Sequence, residues 1–482
     1  MKKLKLLFFS LLGSAFFNAQ IGIGSEIVNP HASAILDIQS STKGMLAPRM
    51  TTAQRMAISS PAESLLVYDT TIKAFYNYTG SSWVELGTTG LAKRTNYKLI
   101  KSVADLAPEL VAGKYVLKSN TLYEINGTIT LDHPIELNNA YIQGIDSGDD
   151  QLVATGNIFD GSTGGSIKGL TLVSTDGKIF NLKGANTENL IFRDCIVANS
   201  NSVGSISGLG MVFISIVQFS GNTTGIEYKN INQLLISNVG WFGNNSGTFE
   251  KLTGTFGLVQ KQGGFSDLTA GTFGLDVGTN PVITGSAVLE GVVFTGNTTG
   301  TKYVNKYTEG SYSGYNFNNS WTVDSPGIPR EGDAEATGDI NLSTEVGSGA
   351  LTTFSTTGAG SRKKLVGTTT SNSLFRFTND GNNKITYRGN KSRYFQVVGS
   401  MSYQGNANLT LILYIAKNGV VQTETKVYGR PSAAFFGTNA GILALPIVGT
   451  IQLKKDDYIE VWAERFDGGG DISTVSLNLT AR

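Results

Sequence analysis

Apolar and polar residues alternate along residues 190–250, and the alternation repeats after about 22 positions. Val217 and Phe219 precede the turn sequence Gly-Asn-Thr-Thr-Gly, and Val239 and Trp241 precede Gly-Asn-Asn-Ser-Gly. Cys195 stands at the equivalent position one repeat earlier. Alternation at period two places apolar side chains on one face of a strand. A period in the low twenties is typical of solenoids, whose repeats bury their apolar faces against each other, so the pattern predicts a β-solenoid.

We interpret each repeat as one coil of a right-handed parallel β-helix. The turn sequences at residues 221–225 and 243–247 are rich in Gly and Asn, which tolerate positive φ and are therefore typical of turns. Helical solenoids need runs of ten or more residues at period 3.6, which this stretch lacks. The alternative is an ordinary β-sandwich with evenly spaced strands. The β-helix is favoured, with room for about eight coils.

A second all-β pattern begins near residue 350. Phe395, Val397 and Met401 alternate with polar residues, and Asn418-Gly419 is a strong signal for a tight hairpin turn. These features predict an antiparallel sandwich of jelly-roll type after the β-helix. The fold class is therefore all-β, with a small N-terminal module in front.

The changes of pattern divide the chain into five segments. They are a signal peptide at residues 1–20, an N-terminal attachment module at 21–90, a parallel β-helix at 91–300, an aromatic-rich span and linker at 301–349, and a jelly-roll domain at 350–482. A short helix at residues 103–110 is expected to lie across the first end of the solenoid, where it would protect the exposed strand edge.

The first 20 residues predict secretion. Lys2, Lys3 and Lys5 precede an apolar stretch at residues 6–17, which is too short to span a bilayer. No later stretch is long and apolar enough to do so. The expected location is therefore extracellular or at the cell surface.

Composition agrees with an all-β extracellular protein. The chain has 59 glycines in 482 residues and 16% charged residues, which fits many tight turns and an uncharged polar surface. Its formal net charge is +1, so nothing suggests the basic face that nucleic acids require. Cys195 is the single cysteine, so no internal disulfide can form, and we expect it to be an inert core residue.

Residues 21–87 carry Gly22-Ile-Gly24, the segment Pro48-Arg-Met-Thr51 and Trp83. In these motifs the stretch resembles a module at the mature N-terminus of secreted proteins of the Bacteroidetes group, and a similar module of tail-fibre-like proteins. The resemblance implies a surface or fibre protein and supplies no catalytic residues. The residues themselves predict a hairpin at 65–78 and a short helix at 51–58, capped by Thr51 or Thr52.

Two further resemblances cover the rest of the chain. The short strands from Lys114 onward resemble the opening of pectate-lyase-like β-helix proteins and of phage tail spikes. The segments Leu413-Tyr-Ile-Ala-Lys-Asn-Gly419 and Leu453-Lys-Lys-Asp-Asp-Tyr458 resemble the C1q/TNF-like jelly roll found at the tips of phage and bacterial surface fibres. That second resemblance implies a homotrimer that binds ligands through loops or subunit grooves.

Catalytic and metal-binding patterns are weak. His31 and His133 lie far apart in the sequence, and neither has credible partners for nucleophilic catalysis. Zinc sites need clustered Cys and His, which the sequence lacks, so no cofactor or metal and no catalytic residue is assigned.

Carboxylates are the remaining candidates, because glycosidases need two of them facing each other across the substrate. The acids on the predicted solenoid are Asp146, Asp149, Asp150, Asp160, Asp176, Asp194 and Glu227. Arg193 and Asp194 lie on a predicted strand and could face outward. We favour the interpretation that these acids are turn and surface residues.

Two other groups have similar alternatives. The segment Asp467-Gly-Gly-Gly-Asp471 resembles one calcium-binding repeat without a tandem copy, and a hairpin loop is favoured. The aromatic residues between 303 and 321 could stack on sugars, but packing over the end of the solenoid is favoured.

Three functions remain open from the sequence. The first is a secreted, non-enzymatic, adhesin-like fibre protein with a β-helix shaft and a jelly-roll head. The second is a polysaccharide lyase or glycoside hydrolase acting on the β-helix, and the third is a phage or prophage tail fibre. We favour the first, as a homotrimer that binds a glycan or cell-surface ligand through the head, above all through the loop at residues 428–444.

Overall fold

The computed structural model describes residues 20–24, 26–86, 95–296, 303–432 and 441–482, and the chain divides into two compact units at residues 95 and 96. The predicted signal peptide lies outside the described residues, apart from Gln20. The final turn repeat that begins at Gly296 also lies outside them beyond its first residue.

The N-terminal unit contains two small sheets and one helix. Ile21–Gly24 and Leu36–Gln39 form a parallel pair, and a four-stranded sheet contains Arg49–Met50, Leu66–Asp69, Ala74–Tyr78 and Trp83–Glu85. The predicted hairpin is confirmed, because the second and third strands of this sheet pair antiparallel. The α-helix Thr52–Met56 begins at a capping box between Thr51 and Gln54, which confirms the predicted hydroxyl cap.

The second unit begins with a three-sided parallel β-solenoid, which confirms the predicted class. Sheet A contains Tyr97–Ile100, Leu122–Ile125, Tyr141–Gln143, Gly165–Lys168, Asn189–Ala198, Met211–Ser220, Gln233–Trp241, Thr255–Leu268, Val282–Glu290 and Trp321–Asp324. Sheet B contains Thr128–Leu131, Gln151–Ala154, Thr171–Ser174 and Val293–Gly296, together with the second halves of four long sheet A strands. Sheet C contains Leu110–Val111, Lys114–Val116, Ile135–Glu136, Phe159–Gly161, Lys178–Lys183, Ser202–Ser207, Thr224–Lys229, Glu250–Thr253, Leu275–Asp276 and Val304–Asn305.

The inward residues of neighbouring coils stack on each other as predicted. Phe219 pairs with Trp241, and Cys195 pairs with Val217. All of these side chains are at most 2% exposed, and the Trp241 ring stacks on Phe249 with 4.6 Å between centroids. Burial raises the pKa of the Cys195 thiol to about 12, so this cysteine is an unreactive core residue.

The corner between sheets A and B is a column of residues with positive φ. Its members are Gly169, Asp194, Ile216, Asn238, Gly263 and Gly291. Gly, Asn and Asp adopt this conformation at modest cost, but a β-branched side chain is strained there. Ile216 has a φ of 54° and is 55% exposed, so burial does not compensate for its strain.

The asparagines of the turn sequences link neighbouring coils. Gly221 and Gly247 do have positive φ, but Asn222 and Asn245 do not. Their side chains are buried instead and link the coils: the backbone N–H of Asn222 donates to the Asn245 side-chain oxygen over 2.8 Å, and the backbone N–H of Ser200 donates to the Asn222 side-chain oxygen over 3.1 Å. The turns therefore carry a buried polar ladder, which satisfies backbone groups that the strands leave free.

An ion pair is buried inside the solenoid. Lys261 Nζ lies 2.8 Å from Glu250, with the two side chains 3% and 1% exposed, and 4.9 Å from the centre of the Phe249 ring. No further hydrogen bond among the described residues reaches Lys261 Nζ or Glu250 Oε2. Burial raises the pKa of Glu250 against the opposing effect of the Lys261 charge. Each ion therefore depends on the other for its stability in the apolar interior.

The 3₁₀ helix Val103–Glu109 lies at the first end of the solenoid, as predicted. It contacts the first strands of sheets A, B and C, and its Leu106 side chain joins the solenoid core. The other end differs from the predicted boundary at residue 300, because Trp321–Asp324 pairs in parallel with Val282–Glu290 and adds a further strand to sheet A.

The C-terminal part of the second unit is an antiparallel sandwich. Sheet D contains Leu374–Phe375, Thr337–Ser343, Ile472–Ala481, Arg393–Gly405, Ile442–Leu453 and Ala350–Thr352. Sheet E contains Phe377–Asn379, Lys384–Tyr387, Tyr458–Asp467, Thr410–Lys417, Val420–Val421, Lys363–Lys364 and Val427–Gly429. The remaining 3₁₀ helices of the described chain are Asp333–Glu335, Gly358–Ser361 and Thr423–Thr425.

The sandwich agrees with the predicted turn but includes part of the predicted linker. Asn418 and Gly419 both have positive φ between paired strands, as a two-residue hairpin requires. The strand Thr337–Ser343, however, pairs along its length with Ile472–Ala481. Its buried Ile340 and Leu342 belong to the sandwich core, so this stretch of the 301–349 segment is structural rather than a free linker.

We expect Ile216→Asn to stabilise the protein by about 1 kcal/mol, because asparagine tolerates positive φ better than isoleucine. Chemical denaturation monitored by circular dichroism measures the change. Ile145→Asn is the matched control, since Ile145 is 75% exposed and has no positive φ. Equal effects of the two substitutions would contradict the assignment of strain to residue 216.

Lys261→Met is expected to destabilise the protein by about 3–5 kcal/mol, because it leaves the Glu250 carboxylate buried without its partner. Replacing both residues, as Lys261→Met with Glu250→Leu, should recover most of that loss. Thermal and urea unfolding of the three proteins test the coupling. A double variant as unstable as the single one would argue against a mutually dependent pair.

Candidate functional site

The surface of the N-terminal unit is unusually apolar. Twelve of its large apolar side chains are exposed, whereas Ala47 and Val67 are its only buried apolar residues among those described. The exposed set is Ile21, Ile23, Ile27, Ile35, Leu36, Ile38, Met45, Leu46, Met56, Ile72, Phe75 and Leu86. Exposure of twelve large apolar side chains around only two buried apolar residues is unusual for a soluble monomer, and exposed apolar surface of this kind marks interaction surfaces. We call these twelve residues the N-terminal apolar surface.

A charged centre rather than an apolar core holds this unit together. Arg55 Nε lies 3.0 Å from Asp69, and their side chains are 6% and 0% exposed. The Arg55 guanidinium lies 3.9 Å from the centre of the Tyr76 ring. Burial acts to raise the pKa of Asp69, but hydrogen bonds from Ile72, Arg55 and Thr52 hold it below its usual range. The unit therefore keeps its shape while its apolar residues remain outside.

The predicted solenoid carboxylates are mostly structural. Asp150 is 5% exposed and accepts hydrogen bonds from the N–H groups of Gly127, Ile145 and Asp146, which fix a turn. Asp160 accepts from Lys114 over 2.6 Å and from Asn181 over 2.7 Å. Asp149 and Asp176 lie in turns of the chain.

The two acids on the outside of sheet C are too far apart for the geometry that glycosidases use. Asp160 and Glu227 share one row on the outside of sheet C, but Asn181 and Ser205 lie between them. Three strand spacings correspond to roughly 14 Å, beyond the 5–9.5 Å that glycosidases use. Asp194 lies apart from this row at the positive-φ corner, 3.7 Å from Arg193 Nε.

The structure brings together a different pair of acids that the sequence did not indicate. Glu290 and Asp324 are direct neighbours on the last two strands of sheet A, because Trp321–Asp324 pairs with Val282–Glu290. They line a cleft of about 320 Å³ with Arg330 and Glu335. Arg330 lies 3.5 Å from both Asp324 and Glu335, so the chain itself supplies the counter-charge. The sequence did not reveal this pair, because the strand beyond residue 300 that pairs in parallel with Val282–Glu290 carries no periodic signal.

The aromatic residues between 303 and 321 pack, as favoured from the sequence. Tyr307, Phe317 and Trp321 are each 1% exposed and belong to the solenoid core. The Tyr315 ring stacks on Phe375 of the sandwich with 3.9 Å between centroids. These rings therefore close the last coil and contact the sandwich.

Arg376 ties the last coil to the sandwich. It is 3% exposed and has positive φ, and its guanidinium donates to the carbonyl oxygens of Trp321 over 2.6 Å and Asn319 over 3.2 Å and pairs with Asp333. Beside it, burial raises the pKa of Glu331 to about 7, although the N–H groups of Asn316 and Phe317 donate to this carboxylate. The solenoid and the sandwich thus share a buried polar joint.

The other candidates have ordinary surroundings. His31 contacts Ser33 at 2.7 Å in the N-terminal unit, whereas His133 lies 3.2 Å from Asp132 in the solenoid. Asp471 accepts from the Phe354 N–H over 2.8 Å, so the glycine-rich loop forms part of the sandwich. The predicted recognition loop at 428–444 lies outside the described residues at 433–440.

The described residues contain neither a metal-binding cluster nor a membrane-spanning helix. No three or more His, Cys, Asp or Glu side chains are grouped closely enough there to hold a metal ion. No helix in that part of the chain combines the length and the apolar character needed to cross a bilayer.

A known protein family matches most of the N-terminal unit, which carries the N-terminal apolar surface. Residues 22–98 match the family described as the phage tail like trimerisation region. No curated protein matches the chain. Among solved structures, the chain is similar to the enzymatically active domain of tailspike protein 4 of bacteriophage CBA120, at 12% identity over 90% of this chain and 77% of that one, with a TM-score of 0.20. That TM-score is too low for the similarity to inform fold or function.

Asp69→Asn should lower the melting temperature of the N-terminal unit at pH 7, because it removes the charge that binds Arg55 and two backbone N–H groups. A lowered pKa in the folded state means that this contribution is present above the unfolded-state pKa and is lost as the pH falls through the folded-state value. The difference between wild type and variant should therefore close below about pH 3.8. Hydrogen exchange of residues 66–78 at several pH values measures it, and a pH-independent difference would contradict this account.

Proposed function

We propose that this protein is a homotrimeric tail-fibre- or tail-spike-like protein, in which the N-terminal unit joins three chains and the second unit provides shaft and recognition surfaces. One observation carries the proposal: the residues that match a trimerisation region contain eleven of the twelve side chains of the N-terminal apolar surface and both buried apolar residues of that unit. Association of three copies would remove that surface from water, which is the main favourable contribution in such interfaces.

The tail-like role is supported better than the secreted, adhesin-like role favoured from the sequence. The matched module belongs to phage tail-like proteins, whereas the sequence signal for secretion lies in residues 1–20, of which only Gln20 is described. Export, an origin in the Bacteroidetes group and a C1q/TNF-like head remain proposals, as does binding of a glycan or cell-surface ligand by the sandwich.

The trimer is tested by removing apolar surface that the isolated chain leaves exposed. Ile35 and Leu46 are each 77% exposed, so Ile35→Ser with Leu46→Ser should cost the fold of one chain little. We expect the wild-type chain to sediment as a trimer. The double variant should dissociate at protein concentrations at least tenfold higher than those at which the wild-type trimer dissociates.

The matched control carries Val366→Ser and Val420→Ser in the sandwich, where the two side chains are 51% and 64% exposed. It should remain trimeric. A wild-type chain that sediments as a monomer at micromolar concentration would contradict the proposal. Equal weakening by both double variants would show that association does not depend on the N-terminal apolar surface.

A further inference from the structure

The outer face of sheet A carries two parallel rows of side chains near its first end. Strand register places each residue beside its neighbour on the next coil, about 4.8 Å away. The first row is Leu122, Tyr141, Ser166, Ile191 and Phe213, and the second is Glu124, Gln143, Lys168, Arg193 and Ser215. None of these ten side chains is buried.

A shallow groove of about 360 Å³ follows these rows. The small Ser166 lies between Tyr141 and Ile191 in the first row, so the surface dips at this coil. Tyr141 forms one side of the dip and is 50% exposed. Gln143, Lys168 and Arg193 line the groove along the second row.

Two cations stand side by side in the groove without adequate counter-charge. Lys168 pairs directly with Arg193 in the strand register, an arrangement that is unfavourable for like charges. Among the described residues no carboxylate forms an ion pair with Lys168, and Arg193 has only Asp194, 3.7 Å from its Nε. Glu124 lies two strands from Lys168, beyond Gln143, and accepts a hydrogen bond from the Tyr97 hydroxyl.

The other end of the same row shows how the chain neutralises such a pair when it can. Glu290 and Asp324 are also like charges in direct register, but Arg330 lies 3.5 Å from Asp324. At Lys168 and Arg193 an anion from outside the chain would have the same effect. Tyr141, Gln143 and Ser166 likewise make no side-chain hydrogen bond within the described residues, so an aromatic face, an amide and a hydroxyl are available beside the cations.

We propose that this groove binds a polysaccharide that carries carboxylate groups. Lys168 and Arg193 pair with a sugar carboxylate, the Tyr141 ring stacks against the apolar face of a sugar, and Gln143 and Ser166 hydrogen-bond to its hydroxyl groups. The choice of a polysaccharide rests on the proposed fibre-like role. The groove itself lies within one chain, so its occupancy and the assembly of the trimer are separate results.

The test measures binding of short hyaluronan oligosaccharides and of oligosialic acid to the full-length protein by isothermal titration calorimetry. We expect saturable binding of at least one of these carboxylated probes that weakens with rising sodium chloride. The methyl ester of the same oligosaccharide has no charge and should bind at least tenfold more weakly. Equal binding of the ester, or tighter binding of dextran sulfate or single-stranded DNA, which carry no carboxylate, would overturn the assignment to a carboxylate.

Variants locate the site. Lys168→Gln, Arg193→Gln and Tyr141→Ala should each weaken binding about tenfold or more. Lys251→Gln is the matched control, because Lys251 is a half-buried lysine on the outside of sheet C with no ion pair among the described residues. Failure of both carboxylated probes to bind, unchanged affinity in the three groove variants, or equal loss in the control would each reject the site.

A second readout does not depend on binding. If Lys168 and Arg193 repel each other in the free protein, Lys168→Gln should leave the melting temperature unchanged or raise it, while lowering affinity. A clear fall in melting temperature would instead assign Lys168 a role in the fold.

Discussion

The in-register stacking of parallel coils is the constraint on which the rest of the second unit depends. Each coil contributes strands whose backbone groups hydrogen-bond to the coils before and after, so every side chain has a defined neighbour about 4.8 Å along the axis. Inside the solenoid this register matches Phe219 to Trp241. Outside it, the same register matches Lys168 to Arg193 and Glu290 to Asp324. The strand register between coils therefore determines both how the core packs and which charges meet on the surface.

Sequence periodicity identifies the inward apolar residues of the coils, but it does not reveal the contacts that occur only once. Val217, Phe219 and Trp241 were assigned correctly, because apolar alternation reports the inward face directly. The roles of Asn222 and Asn245 were missed, since a buried ladder and a positive-φ turn favour the same residue type. The groove cations and the pair Glu290–Asp324 depend on register between coils of unequal length, which no local pattern encodes. The strand Thr337–Ser343 has no local signal either, because it pairs with residues more than 130 positions away in the sequence.

The N-terminal unit follows a different principle from the solenoid. Its shape depends on Arg55 and Asp69, an ion pair shielded by the Tyr76 ring, while its apolar residues point outward. Hydrogen-bonded charges can define a small fold without an apolar core, and this leaves the apolar residues on the surface of the unit. A sequence pattern that reports only a buried core misses this unit, because its isoleucines lie on the outside.

The ion pair between Glu250 and Lys261 bears on how a repetitive chain finds its correct arrangement. Apolar interior positions alternate with outward ones at period two, so a slip of one strand by two residues would keep apolar side chains inside and preserve much of the apolar contact. Such a shift would separate the pair and leave two uncompensated ions in the interior, at a cost of several kcal/mol. The pair therefore makes one coil different from its neighbours and destabilises misaligned arrangements of its strands. Uniform apolar packing alone would not distinguish these arrangements from the correct one.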